Sequence, residues 1–245
     1  MRSLLKNHQH HSGVFFLYDY DSKNNNKFYI KSSSNIDGIS DIRKELTGIN
    51  WYNYHSKYQI KYQVTVDNSQ YINVKHALIE GVIPKFERKT YRSNLTYINT
   101  VINHYCELWS GLNNDMHAPL HGDLSLLGNI IFIEGKYPVL IDWEHFAIEG
   151  PPVGFDALYF LFELLWYELS TLNQIHHSVL SHIAEMMLLL KKCGCLSEYY
   201  FTSPLKTIND YMIQNKNLWG LQYKKMPNLL YNDSQVKFID GCLSL

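Results

Sequence analysis

Acid, base and metal-ligand side chains crowd into residues 121–144, HGDLSLLGNIIFIEGKYPVLIDWE. His121, Gly122 and Asp123 open a polar turn that closes at Asn129. Two short apolar runs follow, 129–133 and 137–141, joined by Glu134, Gly135 and Lys136. Apolar runs of that length about a glycine-containing turn predict a β-hairpin. A hairpin returns to where it started, so Asp123 and Asn129 at its entrance and Asp142 at its exit would share one rim. Hard oxygen ligands on one rim suit Mg²⁺ and a polyphosphate.

The stretch resembles the aminoglycoside phosphotransferase and choline kinase family, small-molecule kinases whose fold is like that of protein kinases. HGD-x-x-x-x-N is that family's catalytic loop, and IDWE or IDFE its counterpart of the protein-kinase DFG segment. The resemblance implies roles position by position. Asp123 would be the base that orients and deprotonates a substrate hydroxyl, and His121 would brace the loop behind it. Asn129 would hold one Mg²⁺, and Asp142 would bridge Mg²⁺ to the nucleotide phosphates. Asn129 stands six residues after Asp123, where the pattern has about five. Either the loop carries a one-residue bulge through Leu126 and Leu127, or Asn129 is displaced and Ser125 contributes.

Composition sets the outer bounds. With 245 residues, 46% hydrophobic and 18% charged, the chain can bury a sizeable core as one domain or two small lobes. Lys plus Arg number 22 against 23 for Asp plus Glu, and no basic run stands out, so no nucleic-acid partner is expected. No apolar stretch approaches the length of a membrane span, and residues 155–169 are interrupted by Asp156, Glu163 and Glu168. Cys106, Cys193, Cys195 and Cys242 lack zinc-site spacing and are few for a disulfide scaffold. A cytoplasmic protein with reduced thiols is the expectation.

The first 81 residues predict a small strand-rich lobe. Residues 13–20 and 28–31 read as antiparallel strands about an Asn-rich turn, with a very short strand at 2–5 before them. The segment between, 6–13, holds one glycine and no GxGxxG. Its His8, His10 and His11 read as a solvated loop. Ile39, Ile42, Leu46 and Ile49 recur at helical spacing over 39–54, with Ser40 as N-cap. Glu45 falls on that apolar stripe, where an unpaired carboxylate is costly. Lys31 on the preceding strand is its natural partner. In the resembled family such a lysine contacts the α and β phosphates and pairs with a helix glutamate. Residues 59–66 and 70–77 predict a second hairpin. Beyond it, 78–81 looks like the family's hinge, where backbone groups of Ala77, Leu78 and Ile79 would meet the edge of a nucleotide base.

From residue 82 the pattern turns helical. A stripe from Leu95 to Leu112 predicts one amphipathic helix over 91–112, and 150–156 turns into an apolar helix ending near Leu172. Helices are expected also at 175–192 and 204–219. Asp156 would support the catalytic loop. Glu163, Trp166, Tyr167, Glu168, Tyr199, Tyr200 and Trp219 could wall an acceptor pocket, although core packing accounts for most such aromatics.

These features give an α+β, protein-kinase-like bilobal fold, with a small antiparallel-sheet N-lobe over 1–81 and a larger, mainly helical C-lobe over 82–245. The implied function is Mg²⁺-dependent transfer of the γ-phosphate of ATP or GTP to a hydroxyl of a small molecule: an amino alcohol such as choline, a sugar or an aminoglycoside. The extra residue before Asn129 also suits a nucleotide-binding pseudokinase or scaffold. His117, His121 and Asp123 could instead serve a metallohydrolase, though Pro119 disfavours the helix that would align the histidines.

Overall fold

The computed structural model describes residues 5–9, 13–21, 26–84, 91–112, 117–126, 128–214 and 231–245. Five strands, β1 (Leu5–Gln9), β2 (Phe15–Asp21), β3 (Asn26–Ser33), β4 (Tyr62–Asp67) and β5 (Ile72–Ala77), form one antiparallel sheet in the order β1-β2-β3-β5-β4. The first strand lies later than the expected 2–5. Its residues, Leu-Lys-Asn-His-Gln, show no apolar alternation; pairing with β2, with an irregularity between Leu5 and His8, makes it a strand. His8 therefore sits in β1 opposite Phe16 and not in a loop. His10, His11 and the core of the Asn-rich turn lie outside the described residues.

Pairing of Lys31 with Val74, Tyr29 with His76 and Ser33 with Ile72 puts these six side chains on one face of the sheet. Helix α1 (Ile36–His55) covers part of that face, burying Ile39, Ile42 and Leu46 against Ile72, Val74 and Val14. The helix begins four residues before Ser40. Asn35 is the N-cap, its side chain accepting the Asp37 N–H at 2.9 Å, and Asp37 places an anion in the first turn.

The second half of the chain is mainly helical. A 3₁₀ turn at Arg92–Asn94 leads into α2 (Leu95–Trp109), and a hairpin of β6 (Ile130–Ile133) and β7 (Tyr137–Leu140) follows. Then come α3 (Phe155–Leu172), α4 (His177–Lys192), α5 (Pro204–Gln214) and α6 (Asp233–Leu243). The expected continuation of α5 to Trp219 lies outside the described residues, and α6 has no counterpart in the sequence reading. No helix among the described residues is long and apolar enough to cross a membrane. All four cysteines are free thiols.

Helix α1 belongs to two cores at once. Its first half packs under the sheet, whereas Ile49 and Tyr52 pack with Trp109, Trp143, Phe132 and the helices beyond. The close approach is made at Gly48, where an added Cβ would lie 2.7 Å from Trp143 Cβ and 2.9 Å from Phe146 Cβ. Gly→Ala in an open helix gains about 0.5–1 kcal/mol. Here overpacking, at about 1–3 kcal/mol, should outweigh that gain. Gly48→Ala is therefore expected to lower the urea midpoint, and a raised midpoint would show that α1 is not seated on Trp143.

Candidate active site

The hairpin brings its ends together: Ile141 N–H donates to the Asn129 carbonyl at 2.9 Å. Asn129 turns its Nδ2 onto Asp123, 2.7 Å from the backbone oxygen and 2.8 Å from Oδ2. The six-residue spacing thus still delivers Asn129 to Asp123. Leu126 is fully buried, and Leu127 lies outside the described residues. Ser125, the alternative metal ligand, is engaged elsewhere, donating its hydroxyl to Glu163 Oε1 at 3.0 Å.

The loop is braced from both sides. His121 Nε2 lies 3.0 Å from the Ile141 carbonyl, which fixes the proton on Nε2, and Nδ1 accepts the Asp123 N–H at 3.3 Å. Burial pushes the imidazole down to about 4, so the ring is neutral, with both nitrogens committed to backbone. Asp156, in the first turn of α3, accepts the His121 N–H at 2.7 Å and the Gly122 N–H at 3.1 Å. Gly122 has φ +89°, and a Cβ there would fall 2.6 Å from the His145 carbonyl oxygen, so this turn requires glycine.

Asp142 leaves the hairpin in a left-handed conformation, φ 64°. Such a conformation is costly outside glycine. It sets the carboxylate facing the sheet, where Lys31 Nζ reaches Asp142 Oδ1 at 3.1 Å and both Glu45 oxygens at 2.8 Å. Lys31 is 4% exposed and Glu45 1%. Burial opposes the charge on Lys31, but Glu45 and Asp142 together outweigh it and hold the ammonium well above its ordinary value. For Asp142, burial pushes upward, but Lys31 together with His121 and His145 brings the carboxyl below its ordinary value, so it remains a carboxylate. Trp143 anchors this segment, fully buried and donating Nε1–H to the Leu140 carbonyl at 3.0 Å.

Among the described residues no three His, Cys, Asp or Glu side chains converge as a metal cage. Asp142 with the Oδ1 of Asn129 is a sparse oxygen set. It fits Mg²⁺, which takes one or two protein oxygens and fills its shell with phosphates and water. The histidine-based hydrolase site is not assembled. His121 is consumed by backbone, and His117 Nδ1 lies 3.1 Å from the Gly150 carbonyl.

The hinge needs correction. Ala77 N–H donates to the Lys61 carbonyl at 2.9 Å and Leu78 N–H to the Lys27 carbonyl at 3.0 Å, so sheet pairing takes the two donors expected to face a base. β5 ends at Ala77, where the alternation placed its end, and the Leu78 amide adds one further bond to the ladder. The Ile79 amide has no backbone partner among the described residues. Val82 then pairs with Phe132 of β6. A cavity of about 880 Å³ beside the hinge is lined by Phe28, Tyr58, Lys75 and the hinge residues Ala77, Leu78 and Ile79; Lys31, Glu45, Asp123, Asn129 and Asp142 are not among its walls.

A solved structure of WaaP in complex with acyl carrier protein superposes with TM-score 0.53 at 9% sequence identity, over 89% of this chain and 90% of that one. The fold is protein-kinase-like. No protein-family model matches this sequence, and no curated protein matches it. The kinase-like fold explains the arrangement of the pieces: a sheet with its Lys31–Glu45 pair on one side, a loop and hairpin on the other, and Asp142 touching both.

Glu163, expected as a possible wall of an acceptor pocket, instead accepts the Ser125 hydroxyl. Glu163 stands seven residues after Asp156 on α3, two turns along the same face, and holds Ser125 as Asp156 holds His121 and Gly122. That i, i+7 pair of acids in an apolar helix was the available signal.

Buried carboxyls here give a pH signature. Burial lifts Asp156 to about 7, Glu163 to about 8 and, with Asp142 adding repulsion, Glu144 to about 8. Each binds a proton more tightly folded than unfolded, so its contribution is full below about pH 4 and is lost as pH rises to 8. Neutral His121 and His76, lowered to about 4 and about 3, contribute oppositely: stability present above about pH 6.5 is lost as pH falls. The two trends oppose each other at acid pH, and only the first acts above 6.5. The melting temperature should fall between pH 6.5 and 8, and Glu163→Gln should flatten that fall; a rise over this window would refute the assignment.

Proposed function

We propose that the protein is an Mg²⁺-dependent phosphotransferase moving the γ-phosphate of ATP or GTP to a hydroxyl of a small molecule, an amino alcohol, a sugar or an aminoglycoside. The observation that supports this most is the triple contact of Lys31 with Glu45 and Asp142 directly across from the Asp123–Asn129 pair. Phosphoryl transfer asks mainly for positioning and charge neutralisation, and these five residues supply both.

In this reading residues 1–81 form the nucleotide-covering lobe and 82–245 carry the loop and the acceptor pocket. Lys31, held charged by its two acids, would meet the phosphates. Asn129 and Asp142 would hold Mg²⁺, which would supply charge neutralisation at the transferring group. Asp123 keeps one carboxylate oxygen on Asn129 and presents the other to the acceptor hydroxyl. As the hydroxyl oxygen bonds to the γ-phosphorus and the bond to the β-phosphate oxygen breaks, the hydroxyl proton passes to Asp123. His121 and Asp156 transfer no proton; they keep Asp123 in register.

The test is ³¹P NMR of the protein with Mg²⁺ and ATP or GTP against a panel of amino alcohols, sugars and aminoglycosides. A new phosphomonoester signal dependent on one acceptor supports the reading. Nucleotide that binds and is never consumed favours the scaffold alternative.

A further inference from the structure

Helix α4 runs out into Cys193-Gly194-Cys195. Gly194, at φ +70°, takes the left-handed turn that glycine allows; its N–H donates to the Lys191 carbonyl at 3.0 Å, and the Cys195 N–H donates to the Leu190 carbonyl at 2.8 Å. The turn folds Cys195 back onto the helix it leaves. Facing it is the last turn of α2, which carries Cys106. The Cys195 thiol lies 3.8 Å from the Cys106 carbonyl oxygen and 3.6 Å from that of Cys193, and the Cys106 thiol is within hydrogen-bonding reach of both the Cys193 and Cys195 thiols. Three sulfurs from two helices thus share one spot. Cys106 and Cys195 are buried, whereas Cys193 is only half-buried and meets solvent. Among the described residues they do not form a metal cage.

We propose that Cys106 and Cys193 form a reversible thiol–disulfide exchange site whose reactants are low-molecular-weight disulfides. Cys193, the thiol that solvent reaches, gives up its proton and attacks one sulfur of the small disulfide; that sulfur–sulfur bond breaks and one small thiolate leaves. Cys106, deprotonated in turn, attacks the Cys193 sulfur and expels the second small thiolate. Two cysteine thiols are oxidised by two electrons, the small disulfide is reduced to two thiols, and the protons given up by the protein end on them. Contact between the two cysteines favours the second step over attack by any thiol from solution. Burial raises the Cys193 thiol, and the Cys195 thiol together with burial raises that of Cys106, so thiolates are scarce and exchange is slow, on the order of hours. Cys195 stays a thiol. The new bond ties the end of α4 to α2 beside the seat of α3. There the Cys195 carbonyl oxygen comes within 3.0 Å of where a Cβ on Gly154 would stand, and the Ser197 N–H donates to the Val153 carbonyl at 2.9 Å. Asp156, which holds the His121 and Gly122 amides, follows two residues after Gly154. Oxidation therefore stiffens the support of that loop. No nucleotide takes part, so failure of this inference leaves the kinase reading intact.

The experiment incubates the full chain, with the exposed Cys242 replaced (Cys242→Ser), with oxidised glutathione, blocks the remaining thiols and maps disulfides by non-reducing mass spectrometry. The chain should lose two hydrogens in mass, with Cys106 joined to Cys193, and dithiothreitol should restore both thiols. Its melting temperature should rise by about 5–15 °C on oxidation, because the bond closes a long loop of the unfolded chain. Cys106→Ser in the same background should instead accumulate the glutathione adduct at Cys193, and Cys195→Ala should still form the bond. If Cys106→Ser fails to fold, the disulfide map and melting shift of the parent chain decide alone. Native protein that keeps all its thiols free where the urea-unfolded chain is oxidised overturns the proposal, and so does a bond joining Cys193 to Cys195.

Discussion

Asp123→Asn should lower kcat by about 10²–10⁴-fold, the usual contribution of a positioned base, with nucleotide affinity nearly unchanged. The substitution keeps the side-chain volume, and one oxygen remains to accept the Asn129 Nδ2–H now bonded at 2.8 Å. His121, Asp156 and Gly122 hold the loop through its backbone, so its position does not depend on the Asp123 charge. What is lost is the acceptor for the hydroxyl proton. Burial raises the Asp123 carboxyl above its ordinary value, against the pull of Asn129 and His145. The wild-type rate should therefore fall on the acid side through a pKa higher than that of a free aspartate. Steady-state kinetics with a nucleotide-binding control decide it: a variant with wild-type kcat would remove Asp123 from the reaction.

Lys31→Met should be damaging in two separate ways. Removing the ammonium strands Glu45, almost wholly buried, without its cation. Breaking a buried pair from one side costs about 3–5 kcal/mol. Asp142 loses its 3.1 Å contact as well, so phosphate positioning and stability should fall together. The double substitution Lys31→Met with Glu45→Leu separates them: urea stability should return towards wild type because no charge is left stranded, while kcat/KM should not recover. Recovery of activity along with stability would make the pair a folding device only.

The sequence disclosed the placing of the polar side chains better than the boundaries of the elements. Asp123, Asn129 and Asp142 could be placed on one rim because a tight hairpin constrains both of its ends, whatever the details of the loop between. Glu45 could be matched to Lys31 because a carboxylate on an apolar stripe demands a partner. Where the reading slipped, the deciding contact was remote in sequence. β1 becomes a strand only by pairing with β2. The Ala77 and Leu78 amides look free until Lys61 and Lys27 are seen opposite them. Asn35 rather than Ser40 caps α1 because Asn-Ile-Asp is itself a helix start, overlooked in favour of the apolar periodicity.

The seating of Gly48 on Trp143 and Phe146 bears on control. A helix that carries the glutamate of a lysine pair can serve as a switch if it can swing outward and take the glutamate away. Here α1 is keyed through Ile49, Tyr52 and Trp51 into the same aromatic cluster that anchors the Asp142 segment. Swinging it out would empty space the size of an aromatic ring, at about 3–5 kcal/mol, leaving the disassembled form below roughly one molecule in a hundred. On the function proposed above, the lysine–glutamate pair is therefore in place before either substrate arrives.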